Sequence, residues 1–158
     1  MKITIRKAKP ADAEHIARLL HDLGWFKQLE GESLEATQAR VARHLDLCHA
    51  DDSHTVYIAE GESGDFLGYS AVHWLPFLFL TGPEGLVSEL FITAAARSKG
   101  VGTKLLETVI SAAKARGCVR LSLVTSRHRQ SYLRNFYKKH GWEERKQVAN
   151  FVFDLTTE

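Results

Sequence analysis

Residues 86–124, "LVSELFITAAARSKGVGTKLLETVISAAKARGCVRLSLV", restrict the fold more than any other part of the chain. Both ends of this stretch are rich in branched apolar residues, which is typical of buried strands. Between the ends, apolar residues recur at helical spacing, at Val101, Leu105, Leu106, Val109 and Ala113. A strand, a helix and a strand in succession predict a β-α-β unit, in which the two strands are parallel and the crossover is right-handed.

The rest of the chain supplies the other elements of a mixed sheet. Alternation or apolar runs predict strands over four further stretches, residues 2–8, 54–60, 66–80 and 147–155. Helices are predicted in three places, one beginning at Pro10, one capped by Ser33 and one over residues 129–141. The order β-α-α-β-β-β-α-β-α-β predicts an α/β (α+β) fold with a mostly antiparallel sheet and helices on both faces. No linker or repeat interrupts it, so we expect one domain over residues 1–158.

Composition limits the class of protein. With 158 residues, 44% of them hydrophobic, the chain can bury a core, and its net charge of +2 is too small to indicate nucleic-acid binding. Cys48 and Cys118 lack the spacing of metal ligands, which favours two reduced thiols and no metal site. The opening "MKITIRKAKP" has no apolar signal core, and no apolar run reaches membrane length. We therefore expect a soluble, cytoplasmic protein without a membrane partner.

The glycine-containing stretch "RSKGVG", residues 97–102, stands where the strand gives way to the helix. It is not a dinucleotide-binding motif, because Leu105 occupies the place of the third glycine, and it is not a Walker loop, because Lys99 precedes its glycine. A helix N-terminus with close-approaching glycines and the charges of Arg97 and Lys99 is nevertheless suited to an anion. The alternative is an ordinary strand-to-helix turn with solvated basic residues.

Two motifs resemble those of one enzyme family. "RSKGVG" after "SELFI" resembles the Arg/Gln-x-x-Gly-x-Gly/Ala signature of the GNAT superfamily of acetyl-CoA-dependent N-acetyltransferases. "NFYKKHGW", residues 135–142, is similar to that family's Phe-Tyr-x-x-x-Gly-Phe segment, with Trp142 in the last place. The predicted element order matches the GNAT fold over essentially the whole chain. Gln130 and Leu133 depart from the family, since many members carry Asn and Ala at these places.

The resemblance implies how acetyl-CoA, the cosubstrate, is bound. Backbone amides of the "RSKGVG" stretch hold the pyrophosphate, and the strand before it offers backbone groups to the pantetheine arm in an opening between two splayed strands. The implied binding residues are Leu90, Phe91, Ile92, Arg97, Ser98, Lys99, Gly100, Val101, Gly102 and Thr103. The implied reaction is direct attack by a primary amine in a ternary complex, with neither a metal nor a covalent enzyme intermediate.

The reaction requires two proton transfers, and the sequence offers candidates for both. An alkyl amine with a pKa near ~10.4 must lose a proton before it attacks. Glu89 is the candidate base, because its apolar neighbours should desolvate the carboxylate and raise its pKa. An edge or salt-bridged glutamate is the alternative for Glu89, and His73 is an alternative base. Tyr137 is the candidate acid for the departing thiolate, because a phenol can donate a proton and the GNAT family often places a tyrosine there. The alternative is a core residue, since Tyr137 shares a helical face with Leu133 and Phe136.

A further set of residues concerns the site of the acceptor amine. The apolar stretch "HWLPFLFLTGPEG" fits the core of the sheet plus a turn. The third strand and its loop border the acceptor side in the GNAT family, so the resemblance also implies that Trp74, Pro76 and Phe77 line an acceptor pocket or a dimer face. Trp25 and Phe26, just after the first helix, are candidates for a lid. The candidate substrate-binding residues are thus Trp25, Phe26, His73, Trp74 and Phe77. The acceptor is a small-molecule or protein amine, and an exposed strand edge is compatible with a homodimer.

Two rival functions remain open at this point. One is a non-catalytic acyl-CoA-binding or sensing module on the same fold. The other is a small nucleic-acid-binding protein that uses the basic residues of the span 127–146, a span that also fits a solvated face or attraction of the phosphates of CoA. The sequence leaves the acceptor, the length of the acyl group, the base and the oligomeric state undetermined.

Overall fold

The computed structural model describes residues 1–156. Five strands are present in this part of the chain, β1 (Thr4–Lys7), β2 (His54–Glu60), β3 (Phe66–Leu75), β4 (Glu84–Ile92) and β5 (Arg120–Leu123). The helices are α1 (Ala13–Leu23), α2 (Leu34–His49), α3 (Val101–Ala115), α4 (Gln130–Leu133) and α5 (Phe136–Lys139). Contacts divide the chain into a large unit, Met1–Val124, and a smaller unit that begins at Thr125.

The five strands form one sheet in the order β1-β2-β3-β4-β5. The first three pairings are antiparallel, and β4 pairs with β5 in parallel across the intervening α3. The mixed sheet and the parallel pair predicted from residues 86–124 are therefore confirmed. One domain over residues 1–158 stays a prediction.

Helices cover both faces of the sheet in the large unit. On one face α1 and α2 pack against the sheet core, which includes Val56, Ile58, Tyr69 and Ala71. The residues of β3 that alternate with these, such as Val72, point to the other face, where α3 contacts β3 and β4. The α3 residues predicted from their helical spacing, Val101, Leu105, Leu106, Val109 and Ala113, are all buried. The helical spacing of these residues therefore predicted the buried face of α3 correctly.

The strand predicted over residues 66–80 is too long. β3 ends at Leu75 because Pro76 has no N–H to give to the sheet, and a turn follows. The side chains after the proline leave the sheet, and Phe77, Leu78 and Phe79 are 39%, 101% and 74% exposed. An apolar run in the sequence therefore does not distinguish a strand from the loop that follows it.

The helix predicted over residues 129–141 is broken. Asn135 adopts φ 58°, in the left-handed region, and separates α4 from α5. A left-handed residue cannot continue a right-handed helix, and asparagine tolerates that conformation better than most residues. Leu133 is consequently 58% exposed, so the predicted apolar face that joined it to Phe136 and Tyr137 is not formed.

The last predicted strand, residues 147–155, is absent from the part of the chain that the structure describes. Phe151, Val152 and Phe153 are 93%, 82% and 87% exposed. Alternation makes a segment able to form a strand, but a strand forms only when its backbone finds a partner. The observed order is therefore β-α-α-β-β-β-α-β-α-α, which corrects the end of the predicted one. Among residues 1–156, no helix has both the length and the apolar character needed to cross a bilayer.

Candidate active site

An extra residue in β4 determines which side chains the strand presents. Ala71 of β3 pairs with Glu89 and Val72 pairs with Val87, so Ser88 between them has no counterpart and forms a bulge. Two residues opposite one position interrupt the alternation of side chains. Glu89 consequently reaches the face covered by α1 and α2, where its Oε1 accepts a hydrogen bond from the Tyr69 hydroxyl at 2.9 Å.

The bulge also marks the point where β4 parts from β5. Their parallel pairing covers Glu84–Val87 of β4 and ends at Leu123 of β5. From Glu89 to Ile92, β4 pairs with β3 alone among the described strands. Because alternate backbone groups of a strand point to opposite sides, this segment also directs N–H and C=O groups to the side on which the pairing with β5 has ended. The pairing of β4 with β5 thus ends within β4, and an opening for acetyl-CoA at this point stays a prediction of the family resemblance.

Glu89, on this segment of β4, is partly buried. Burial raises its pKa above the ordinary 4.5, and this outweighs the hydrogen bond from Tyr69 and the charge of His44, which lower it. Tyr69 is itself 2% exposed, and burial together with the Glu89 charge raises the pKa of its hydroxyl well above 10.0. Tyr69 therefore stays protonated and serves as a fixed donor that orients the carboxylate.

A pocket of about 280 Å³ lies beside Glu89. Its lining comes from α1, the following loop, α2 and β4, and consists of Leu20, Phe26, Gln28, Leu29, Arg40 and Glu89. Phe26, predicted to form part of a lid, thus belongs to the same pocket as the candidate base. Trp25 packs its ring against Phe26 at 6.4 Å and against Phe91 at 5.8 Å between centroids, and is 48% exposed.

Two of the predicted acceptor-binding residues lie elsewhere. Trp74 is 6% exposed, and its indole Nε1 donates to Thr55 Oγ1 at 3.0 Å. The Arg116 guanidinium lies 4.6 Å from the centre of the Trp74 ring, which makes this residue a core aromatic with a cation above it. Phe77 lies in the loop after β3, 5.7 Å from the Phe79 ring. Neither residue lines the pocket beside Glu89.

His73, the alternative base, is placed next to the bulge. Its Nε2 lies 2.7 Å from the Ser88 hydroxyl, and its ring packs edge-on against His54 at 4.7 Å between centroids. Burial, assisted by His54, lowers the pKa of His73 below 6.5. The imidazole is therefore neutral at neutral pH and able to accept a proton, so it remains an alternative to Glu89.

The glycine-containing loop has the geometry of an anion site. Gly100 adopts φ 84° just before α3, and a Cβ placed on it would meet no other described atom within 4 Å. The first bond within the helix joins Lys104 N–H to Gly100 C=O at 3.0 Å, so the amides of Val101 and Gly102 lack a carbonyl partner inside the helix. Arg97 and Lys99 are exposed, and the first turn of α3 has no acidic residue. These residues fit a phosphate group.

Tyr137 belongs to the smaller unit, which begins at Thr125. Its ring contacts Phe136 at 5.1 Å and Trp142 at 6.2 Å between centroids. Burial raises the pKa of its hydroxyl above 10.0, against the opposing effects of Ser131 and Arg129. The phenol is therefore protonated at neutral pH, as an acid must be, but its role stays a prediction.

Sequence reasoning missed several residues of this site. Tyr69, Ser88 and Arg40 carried no recognisable motif, and Leu20, Gln28 and Leu29 looked like ordinary helix and loop residues. Tyr69 pairs with Phe91 and lies two residues from the partner of Glu89. Tyr69 could therefore be identified only from the register between β3 and β4, and no signal in the sequence gives that register.

Comparisons with known proteins agree with this architecture. A family model described as Acetyltransferase (GNAT) family matches residues 18–142. The chain is 28% identical over 153 residues to the "Uncharacterized N-acetyltransferase YhfO" of Bacillus subtilis, covering 97% of this chain and 98% of that protein. It is 26% identical to Glucosamine 6-phosphate N-acetyltransferase 1 of Oryza sativa, with 93% and 87% covered.

Solved structures share the fold over almost the full length. A transcriptional regulator from Bacillus halodurans superposes with a TM-score of 0.83 at 24% identity, covering 96% of this chain and all of that one. Glucosamine-6-phosphate N-acetyltransferase from Arabidopsis thaliana superposes with a TM-score of 0.74 at 22% identity, covering 98% of this chain. Together with the match to the family model, these findings identify the chain as a member of the GNAT family of acetyltransferases.

Proposed function

We propose that this acetyltransferase moves an acetyl group from acetyl-CoA to a primary amine by direct attack in a ternary complex, with Glu89 as the base. The observation that supports this most directly is a partly buried carboxylate of raised pKa that lines a pocket, on the segment of β4 that no longer pairs with β5. The amine enters the pocket as an ammonium and loses a proton to Glu89, directly or through water. A raised pKa makes the carboxylate a better proton acceptor near neutral pH.

Other residues of the large unit bind acetyl-CoA and orient the reacting groups. Tyr69 holds the Glu89 carboxylate through its hydroxyl, and backbone amides of β4 that face away from β3, beyond the pairing with β5, are suited to donate to the oxygen that gains charge during attack. Acetyl-CoA supplies the activated acetyl group. Residues 97–102, with Thr103 beside them, would hold its pyrophosphate, and the backbone of Leu90, Phe91 and Ile92 would hold the pantetheine arm.

Tyr137 is proposed as the acid that protonates the departing thiolate. Tyr137→Phe is expected to lower kcat about ten- to a hundredfold. This is no more than the smallest effects usually measured for loss of a catalytic acid, because a thiolate is a good leaving group even without a proton. The affinity for acetyl-CoA should not change. Steady-state thiol release, together with a thermal-shift titration, measures both quantities.

Tyr132→Phe is the matched control for that substitution. Tyr132 belongs to the same unit, and its hydroxyl donates to the Glu144 carboxylate at 3.1 Å, so its loss tests damage to the unit without touching Tyr137. If Tyr137→Phe leaves turnover unchanged, or if both variants lose it equally, the acid assignment is wrong.

One two-stage experiment tests the proposed function against its rivals. Acetyl-CoA at about a hundred times its dissociation constant should stabilise the fold by ~2.7 kcal/mol, and thiol release should then depend on added amine. A binding module would be stabilised without amine-dependent release. A nucleic-acid-binding protein would show steeply salt-dependent binding of DNA or RNA and no stabilisation by acetyl-CoA.

The amine panel should include glucosamine 6-phosphate, because two rice relatives, 26% and 28% identical to this chain, are described as acting on it. Polyamines, amino acids, aminoglycosides, arylamines and a peptide amine complete the panel. The cytoplasmic location and the homodimer expected from the sequence stay predictions.

A further inference from the structure

The pocket beside Glu89 contains one cationic side chain. Of its six lining residues, Leu20, Phe26 and Leu29 are apolar, Gln28 is neutral, Glu89 is acidic and Arg40 is basic. Arg40 lies on α2 and Glu89 on β4, so the two opposite charges belong to different elements that share one pocket. A cavity with a carboxylate and a guanidinium on different walls is complementary to a ligand that carries both charges itself.

Arg40 is held in place by a short chain of hydrogen bonds. Its Nη2 donates to Glu32 Oε1 at 2.6 Å, and the fully buried Thr37 hydroxyl donates to the same carboxylate oxygen. The Thr37 hydroxyl also lies 2.7 Å from His21 Nε2, which must be the donor because Thr37 already donates to Glu32. This chain fixes Glu32, and Glu32 fixes one end of the guanidinium.

The Arg40 guanidinium keeps donors beyond this contact. Within residues 1–156, Glu32 is the hydrogen-bond partner found for Arg40, and it engages Nη2 alone. Nε and Nη1 are therefore available to a second acceptor, and a guanidinium fork matches the two oxygens of a carboxylate or a phosphate. The Arg40 side chain is 31% exposed and Glu32 is 26% exposed, so the pair is accessible without being fully solvated.

From this geometry we propose that the acceptor is an amine that also carries an anionic group, a carboxylate or a phosphate, which Arg40 binds while Glu89 receives the amine. The proposal rests on the proposed function and names its substrate class. The apolar walls of Leu20, Phe26 and Leu29 reduce screening between charges and suit a hydrocarbon spacer between the two ends of the acceptor. A polyamine has no acceptor oxygens to offer to Nε and Nη1 of Arg40.

The test uses three series of amines of matched chain length: n-alkylamines, ω-amino acids and ω-aminoalkyl phosphates. For the wild-type protein, kcat/KM should be higher by about 30-fold or more for one of the anionic series than for the alkylamines. The two anionic series then distinguish a carboxylate from a phosphate as the recognised group. Equal rates across all three series would overturn the proposal.

Variants of α2 and of the preceding loop then locate the preference. Arg40→Gln should abolish the preference for anionic amines, and Arg40→Lys should retain part of it. Arg43→Gln should retain the full preference, because Arg43 is an exposed arginine of the same helix that does not line the pocket. Glu32→Gln should strengthen it, because the amide oxygen still accepts from Arg40 but no longer neutralises its charge. A preference that survives in Arg40→Gln refutes the role of Arg40.

A binding measurement separates failure of this inference from failure of the proposed function. If acetyl-CoA binds and no amine of these series or of the broader panel is acetylated, the proposed function is wrong. Thermal-shift titrations of the wild type and of Arg40→Gln with the anionic amines then still decide the inference, since they need no turnover. The inference is supported if an anionic amine raises the melting temperature of the wild type but not that of Arg40→Gln. Equal changes in the melting temperatures of the two proteins would overturn the inference.

Discussion

Glu89→Gln is expected to lower kcat/KM for the amine by about 10²- to 10⁴-fold, the usual contribution of a positioned base. Glutamine has almost the same shape as glutamate, and its amide oxygen can still accept the hydrogen bond that Tyr69 donates at 2.9 Å. What the substitution removes is the ability to take a proton from the ammonium. The affinity for acetyl-CoA should be unchanged, so the loss should appear in the amine-dependent steps alone.

The dependence of activity on pH provides a second test of Glu89 as the base. Because burial raises the pKa of Glu89 above 4.5, the carboxylate becomes protonated, and inactive as a base, at a higher pH than an exposed glutamate would. The activity of the wild type should therefore fall on its acidic side with an apparent pKa above 4.5. In Glu89→Gln that decline should be absent from whatever activity remains.

The shape of the profile does not by itself distinguish the two candidate bases. The pKa of Glu89 is raised from 4.5 and that of His73 is lowered from 6.5, so the two move toward each other. His73→Gln is therefore needed beside Glu89→Gln, and Glu107→Gln, at an exposed glutamate of α3, controls for the change of charge. If His73→Gln loses more activity than Glu89→Gln, the base has been assigned to the wrong residue.

The sequence was most informative where local physics decides the structure. The helical period of α3 and the capping residue Ser33, whose Oγ accepts from Ala36 N–H at 3.1 Å, depend on neighbours in the chain. Glycine and basic residues at the start of α3 act through backbone amides that any helix of this kind presents. These features could be predicted because no distant part of the chain is needed to produce them.

The candidate site could be predicted only in part because its other features depend on long-range pairing. Alternation alone does not reveal that Ser88 is an extra residue, although this bulge brings Ser88 beside His73 and Glu89 beside Tyr69. Arg40 shares a pocket with Glu89 only because α2 packs on that face of the sheet. The strand predicted over residues 147–155 shows the converse error, since its alternation was clear and its partner was assumed.

Gly100→Asp is expected to weaken the binding of acetyl-CoA by about a hundredfold, if residues 97–102 hold the pyrophosphate as proposed. A negative charge within about 5 Å of the phosphates would cost ~3 kcal/mol at the effective dielectric constant of a protein surface. The carboxylate would also compete for the amides at the start of α3. The change introduces backbone strain at φ 84°, but a Cβ at Gly100 meets no other described atom within 4 Å, and an acidic residue is favourable at a helix N-terminus, so the fold should be retained at reduced stability.

Two controls separate charge from backbone strain in this experiment. Gly100→Asn has nearly the same shape and the same left-handed strain at φ 84° but no charge, so it should retain most of the affinity. Gly117→Asn places the same side chain at φ 74° beyond the other end of α3, where it should alter stability without altering affinity. If Gly100→Asp and Gly100→Asn bind acetyl-CoA equally in a thermal-shift titration, the charge is irrelevant. The phosphates must then lie elsewhere, because a carboxylate among the amides that hold a pyrophosphate cannot leave its affinity unchanged.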